Sequence, residues 1–383
     1  MPVQNPKKMK IAIVHDFLTY WGGAEQALVS LRNLWPEAPV YTLFYEEDFA
    51  RKYFPNADIR ASFLQKFPRF LLQRKKFLLP FLAIAAETLD LRDFDVVISS
   101  SSSFAKGIIV KPRTVHISYC HTPTRFLWDW YYEYCRENNF GILKKIFILP
   151  LLHYLRLWDR SAADRVDYFI ANSKNVARRI KKFYGRDSEV IYPPADVNKL
   201  KTQNSKLKTK EQNYFLIVSR LSPYKKVDQA IEAFNKLNLP LVIIGEGSQR
   251  KYLERIANKN IKFLGFIAAD DLARYYSNAR ALIFSGEEDF GITAVEAMAA
   301  GTPVIACRKG GVCESVVEGV SGEFFETPIS TLIADAVWRF INKESGYKRE
   351  VIASHAQKFS RERFEKEMKE YVEKIMRGCK TRN

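Results

Sequence analysis

Between residues 281 and 307 the chain alternates in a way that few architectures accommodate. Residues 281–284 (Ala-Leu-Ile-Phe) are a short apolar run of strand type, and residues 285–291 (Ser-Gly-Glu-Glu-Asp-Phe-Gly) are an acidic loop. Residues 292–300 favour a helix, closed by Gly301 with Pro303 beyond it, and residues 304–307 (Val-Ile-Ala-Cys) are a second apolar run. Strand, loop, helix and strand in so short a span predict one unit of a parallel α/β sheet. Such sheets bind ligands at the carboxyl ends of their strands, where the acidic loop falls. Gly291 opens the helix, so amides near residues 290–293, those of Phe290 and Ile292 among them, can face an anion. Glu288 before the helix and Glu296 inside it are poor phosphate ligands but accept hydrogen bonds from sugar hydroxyls. Together these features suit a nucleotide sugar.

The stretch EDFGITAVE, from Glu288 to Glu296, followed by AMAAGTPVI, resembles the signature of retaining glycosyltransferase family 4. The resemblance extends from about residue 10 to 376. It implies an α/β chain of GT-B fold, with two Rossmann-like, doubly wound parallel-sheet domains facing across a cleft.

Length agrees with this expectation, since 383 residues suffice for two domains of roughly 180 residues each. Hydrophobic residues make up 47% and charged residues 27%, the balance of a globular chain. The 60 Lys and Arg against 43 Asp and Glu give a net charge of +17, which points to an anionic partner: substrate, membrane or nucleic acid. Five cysteines without a CxxC pair read as free thiols in a reducing compartment, and no metal-ligand cluster is visible. The start of the chain runs into a strand without the pattern of a signal peptide. The longest apolar runs, 77–86 and 146–152, fall short of the roughly 20 residues that span a bilayer.

Residues 10–16 read as a buried first strand. Gly22 and Gly23 then open a helix and permit close backbone approach of a phosphate. Residues 51–86 interleave Arg51, Lys52, Arg60, Lys66, Arg69, Arg74, Lys75 and Lys76 with many Phe and Leu. This fits a helix lying on an anionic membrane, or a core face with a basic solvated side. Asp93 and Asp95 mimic a DxD metal motif, but Asp95 immediately precedes an apolar strand and reads as a strand-entry residue. A further strand delivers His121 to a loop that also holds Arg125 and Asp129. Residues 140–160 are again apolar and basic, with Pro150 as a potential kink. Ser173 reads as a helix N-cap. The domains are expected at 1–196 and 214–360, with a lysine-rich linker at 197–213 and a helix over 361–383 crossing back to the first domain. A basic, frayed tail is expected from Arg377. Arg220 and Lys225 share one strand-to-helix loop, a pair suited to neutralising a diphosphate.

The resemblance to family 4 gives these residues roles. Gly22, Gly23 and Phe266 would line the nucleotide side, Arg220 and Lys225 the diphosphate, Glu288 the sugar hydroxyls and Glu296 the ribose. His121 would lie against the donor sugar, with Arg125 and Asp129 on the acceptor side. Lys226 stands where the family commonly has glycine, which leaves open which lysine reaches the phosphate. The segment CHTPTRFLWD resembles bacterial mannosyltransferases, implying GDP-mannose as donor; a UDP-sugar remains the alternative. The implied acceptor is a lipid-linked saccharide or polysaccharide. The implied enzyme is cytoplasmic, peripheral on the inner face of the cytoplasmic membrane, and needs no cofactor or metal. A GT-B sugar-nucleotide epimerase is one rival. A nucleic-acid-binding protein is the other, disfavoured because the basic residues sit among leucines and phenylalanines and form no reading helix.

Overall fold

The computed structural model describes residues 9–138, 141–198, 200 and 214–380. The described residues form two compact units, one within residues 9–191 with 368–380 and one within residues 192–367. Of the expected linker, residues 199 and 201–213 lie outside the described residues, whereas Val197 and Leu200 are buried in the core of the second unit. The last helix, Arg361–Lys380, continues through the stretch expected to fray from Arg377.

The first unit is built on a seven-stranded sheet: β1 (Ile11–Leu18), β2 (Val40–Tyr45), β3 (Ile59–Ala61), β4 (Val96–Ser101), β5 (Val115–Cys120), β6 (Tyr168–Ala171) and β7 (Ser188–Val190). Their order is β3-β2-β1-β4-β5-β6-β7, and every pairing is parallel. The second unit has six strands: β8 (Tyr214–Val218), β9 (Leu241–Ile244), β10 (Ile261–Gly265), β11 (Ala279–Phe284), β12 (Val304–Cys307) and β13 (Gly322–Phe325). Their order is β10-β9-β8-β11-β12-β13, again all parallel. Each sheet is Rossmann-like and doubly wound, so the central strands are covered on both faces and read as near-continuous apolar runs. The strand order reverses between β1 and β4 in the first unit and between β8 and β11 in the second. Sheets of this kind bind their ligands at that point, beyond the carboxyl ends of the strands.

The crossover helices bury one stripe. In Val227–Leu237 the stripe is Val227, Ala230, Ile231 and Phe234, at helical spacing. Helix Lys174–Tyr184 begins at Ser173, whose Oγ accepts from the Val176 amide at 3.1 Å, and ends at Gly185 in the left-handed region (φ 64°). Asp95 accepts from the Lys10 amide at 2.9 Å, the strand-entry role its position predicts.

The basic, apolar stretch of residues 51–86 divides its side chains between two environments. Leu64, Leu78, Leu79, Leu82 and Ala83 are buried against Leu152 and Leu155 of helix Ile142–Asp164. Phe70, Phe77, Phe81 and Ile84 instead face solvent, as do Ile146, Phe147 and Leu149 of that long helix. Arg69, Arg74, Lys76 and Lys145 are exposed in the same segments. Among the described residues no helix is long and apolar enough to cross a membrane.

Candidate active site

In the second unit, the loops after β8 and β11 meet where the strand order reverses. Lys225 ends the first loop in a short 3₁₀ turn, and its ammonium contacts the Glu288 carboxylate of the second. Lys225 is only 8% exposed. The two loops are also joined through the backbone, since Ser285 Oγ donates to the Lys225 carbonyl at 2.8 Å. Gly286 permits this approach: a Cβ there would lie 2.9 Å from Lys225 Cα. Lys226 is exposed and left-handed (φ 54°), capping the next helix. That backbone explains a preference for glycine at this position, and it makes Lys225 the lysine paired with Glu288. Arg220 lies exposed in the same loop.

Helix Ile292–Ala299 starts at Gly291, which is left-handed (φ 89°). A Cβ on Gly291 would come within 2.9 Å of the Phe284 ring, so both conformation and space require glycine. A third loop, after β12, closes on the acidic one. The Gly311 amide donates to the Glu288 carbonyl at 2.8 Å, and a Cβ on Gly310 or Gly311 would collide with the carbonyls of Glu288 and Asp289. Glu288 therefore has its main chain fixed while its carboxylate remains partly open to solvent. Glu296 accepts from the buried Tyr276 hydroxyl at 2.9 Å, and burial next to that carboxylate holds the Tyr276 phenol protonated. The Phe290 ring turns into the core, 5.6 Å from Tyr192 and 5.5 Å from Phe359, and the residue as a whole is buried. Phe266 follows the edge strand β10, two strands from β8, and is 67% exposed. The structure thus brings Lys225, Glu288, Gly291 and Ile292 into one cluster, with Phe266 apart from it.

In the first unit, the loops after β1, β4 and β5 converge. His121 directly follows β5 and is buried; its Nε2 lies 2.8 Å from Ser100 Oγ on β4. Ser100 Oγ is in turn 3.0 Å from His15 Nδ1 on β1, and His15 Nε2 is 3.3 Å from Glu25 Oε1 in the first helix. His15 and Ser100 are register partners across β1 and β4, which sets their side chains next to each other. The other carboxylate oxygen of Glu25 lies beneath Gly22, where a Cβ would be 3.2 Å from it. This chain of groups connects the Gly22 and Gly23 turn to His121. Burial pushes the His121 pKa down to about 3.

Asp16 caps the loop after β4 with both oxygens, accepting from the amides of Ser102, Ser103, Phe104 and Ala105 at 2.6–2.9 Å. Asp129 pairs with Arg179, and Arg125 lies 4.0 Å from Asp129 with its guanidinium over the Trp130 ring. Below this loop, Asp159 is buried and accepts from Lys106, Thr124, Trp128 and Tyr184. Sequence reading assigned no role to His15, Asp16, Glu25, Ser100, Lys106 or Asp159. The signal available was polar residues placed inside apolar runs, as with His15 and Asp16 at the end of the first strand. Among the described residues no group of three or more His, Cys, Asp or Glu is placed to hold a metal ion.

Two Rossmann-like sheets, each carrying its polar loops at the reversal of strand order, define a GT-B fold. Residues 21–199 match the family described as Glycosyltransferase Family 4, and residues 198–359 match that described as Glycosyl transferases group 1. These matches support a GT-B glycosyltransferase of family 4. An uncharacterised glycosyltransferase of Methanocaldococcus jannaschii is 35% identical over 158 residues, 39% of this chain and 40% of that protein. The alpha-1,3/1,6-mannosyltransferase of Saccharomyces cerevisiae is 26% identical over 253 residues, 54% of this chain and 48% of that protein. The chain thus spans about half the length, or less, of these relatives. In fold it is similar to the Anabaena protein HepE in complex with UDP-glucose, with a TM-score of 0.69 at 19% identity, covering 96% of this chain and 100% of that one.

Proposed function

We propose that the protein is a retaining hexosyltransferase that moves mannose from GDP-mannose onto a lipid-linked saccharide or polysaccharide. The observation that carries this reading is the Lys225–Glu288 pair beside the glycine-opened helix at residue 291. A buried cation, a hydroxyl acceptor and a helix N-terminus on adjacent loops suit a diphosphate joined to a sugar. In this reading Arg220, Lys225 and the amides near Phe290 and Ile292 take up the charge that grows on the departing diphosphate. Each well-placed donor contributes roughly 3–4 kcal/mol to that stabilisation. Glu288 holds sugar hydroxyls, Glu296 the ribose, and His121 the donor sugar. Phe266, Gly22 and Gly23 line the nucleotide side, and Arg125 and Asp129 serve the acceptor.

The acceptor oxygen attacks the anomeric carbon from the face the diphosphate leaves. The bond from that carbon to the diphosphate breaks as the new one forms, and the acceptor's proton passes to the departing oxygen. No cofactor enters the scheme, because side-chain cations and amides supply the positive charge. The identity to a mannosyltransferase supports the choice of mannose.

The test is thermal stabilisation by GDP, UDP and ADP at equal, high concentration. A nucleotide at 100 times its dissociation constant adds about 2.7 kcal/mol to stability. GDP alone is expected to shift the transition. A shift with UDP alone replaces the donor and keeps the mechanism, and a flat response to all three overturns the nucleotide-sugar reading.

The outward phenylalanines support a peripheral site on the inner face of the cytoplasmic membrane. Phe77 and Phe147 are 64% and 79% exposed, in segments that also expose Arg74, Lys76 and Lys145. The protein is expected to sediment with vesicles containing anionic lipid and not with neutral ones. The double variant Phe77→Ser, Phe147→Ser is expected to lose most of that binding while unfolding at the same temperature. Equal binding to both vesicle types removes the role of the basic residues, and failure to sediment with either removes the membrane assignment.

A further inference from the structure

The buried chain of groups that ends at His121 has a direction. An ionised carboxylate only accepts hydrogen bonds, so Glu25 requires the proton of His15 on Nε2. When His15 carries a single proton, the one Glu25 holds on Nε2, its Nδ1 is bare and accepts from the Ser100 hydroxyl. The Ser100 oxygen has spent its own proton and accepts from His121 Nε2. His121 Nδ1 is therefore left as a lone-pair acceptor. Every member is buried: Glu25, His15, Ser100 and His121 all have less than a tenth of their surface exposed. Bulk water is thus kept from scrambling the order, and low polarity strengthens each link.

The surroundings of His121 hold the ring without competing for it. The Tyr119 ring packs edge-on at 5.1 Å, the His121 amide donates to the Ser101 carbonyl, and Asn172 Nδ2 donates to the His121 carbonyl at 2.9 Å. These contacts fix the backbone and the ring plane. The link to Ser100 chooses which nitrogen carries the proton.

We propose that Glu25, His15 and Ser100 are positioning residues that select the Nε2–H tautomer of His121, so that it meets a donor-sugar hydroxyl as an acceptor through Nδ1. The inference rests on the reading that His121 holds the donor sugar. The charge on Glu25 is relayed as a choice of donor or acceptor at the far end of the chain, three hydrogen bonds away. Neutralising the carboxylate, or breaking the chain at Ser100, would leave the tautomer unselected, so that part of the population presents an N–H to the partner hydroxyl in place of the acceptor.

The experiment is nitrogen NMR of the full chain labelled at histidine, at about pH 8, with the signals of His121 assigned by their loss in His121→Gln. In the unaltered protein His121 is expected to show a protonated Nε2 and a bare Nδ1. Ser100→Ala and Glu25→Gln are each expected to convert this to a mixture of tautomers in a chain that still unfolds cooperatively, at a lowered temperature. The inference is overturned if His121 carries its proton on Nδ1 in the unaltered protein, or if both variants leave the tautomer unchanged. These signals need no donor or acceptor, so they stand whether or not the transferase reading does. In the transfer assay Ser100→Ala is expected to lower kcat/KM roughly tenfold, the size of one hydrogen bond. It is expected to cause no further loss in a His121→Ala background. An equal further loss in that background would show that Ser100 acts by some other route and would also overturn the inference.

Discussion

Lys225→Ala is expected to lower kcat/KM for sugar transfer by about two to three orders of magnitude, the effect of removing one preorganised donor at a site of developing charge. The backbone of Lys225 is held independently of its side chain: its amide donates to the Ser222 carbonyl, and its carbonyl accepts from Ser285 Oγ. Truncation therefore leaves both loops in register. It also leaves Glu288 without its cation, but the Glu288 side chain is 28% exposed and water can reach it. Catalysis should thus fall far more than stability. Glu288→Gln provides the complementary measurement. It retains the shape and a hydroxyl-binding oxygen, so the expected loss is smaller than that of Glu288→Ala, which should abolish transfer without unfolding the chain. Steady-state kinetics of the three variants, alongside their melting temperatures, decide the matter. Activity within tenfold of the original in Lys225→Ala or in Glu288→Ala removes that residue from the mechanism.

The parts of this site that were legible in the sequence are those whose physics is local. Strand, acidic loop, Gly291 and helix lie within about twenty residues, and each step follows from an apolar run or a backbone that only glycine tolerates. Ser173 as a cap is equally local, because its partner is the Val176 amide three residues on. The pairing of Lys225 with Glu288 was half legible. Both loops could be placed at strand ends, but their adjacency depends on β8 and β11 being neighbours, which the order of strands in the sequence does not state. What escaped was non-local. His15 and Ser100 are 85 residues apart and become partners only through the register of β1 on β4. Asp16 finds its four amides at a similar separation. The direction of a ring was also beyond reach. Phe290 in the acidic loop turns inward, whereas Phe77 and Phe147, in segments with core-forming periodicity, turn outward. Composition treats all three alike, and only the packing of their neighbours separates them.

Asp159→Ala is expected to destabilise the first unit by about 3–5 kcal/mol, because it leaves the Lys106 ammonium buried without its counter-charge. Lys106 and Asp159 are both almost fully excluded from solvent, with Nζ and Oδ1 2.5 Å apart. The carboxylate carries more than the ion pair. Thr124 Oγ1 donates to Oδ1, and Trp128 Nε1 and the Tyr184 hydroxyl donate to Oδ2. Burial, with Asp159 alongside, holds the Tyr184 phenol well above its ordinary pKa, so it remains a donor. Removing the acceptor takes a bond from four donors at once, one of them charged, and leaves Lys106 and Thr124 to share the Ser103 carbonyl. Lys106→Met removes only one donor and leaves the carboxylate three neutral partners, so its expected cost is smaller. The order of the two losses is therefore a sharper test than either magnitude, since a simple ion pair would make them similar. At 2–4 °C per kcal/mol for a unit of this size, Asp159→Ala should melt roughly 10 °C earlier. Because Thr124 and Trp128 frame the loop that presents Arg125 and Asp129, kinetics toward the acceptor proposed for those two residues should deteriorate below that transition as well. If Lys106→Met costs as much as Asp159→Ala, the carboxylate is not the hub of the network, and the loop owes its position to the packing of Trp128 on Phe183 and Tyr184.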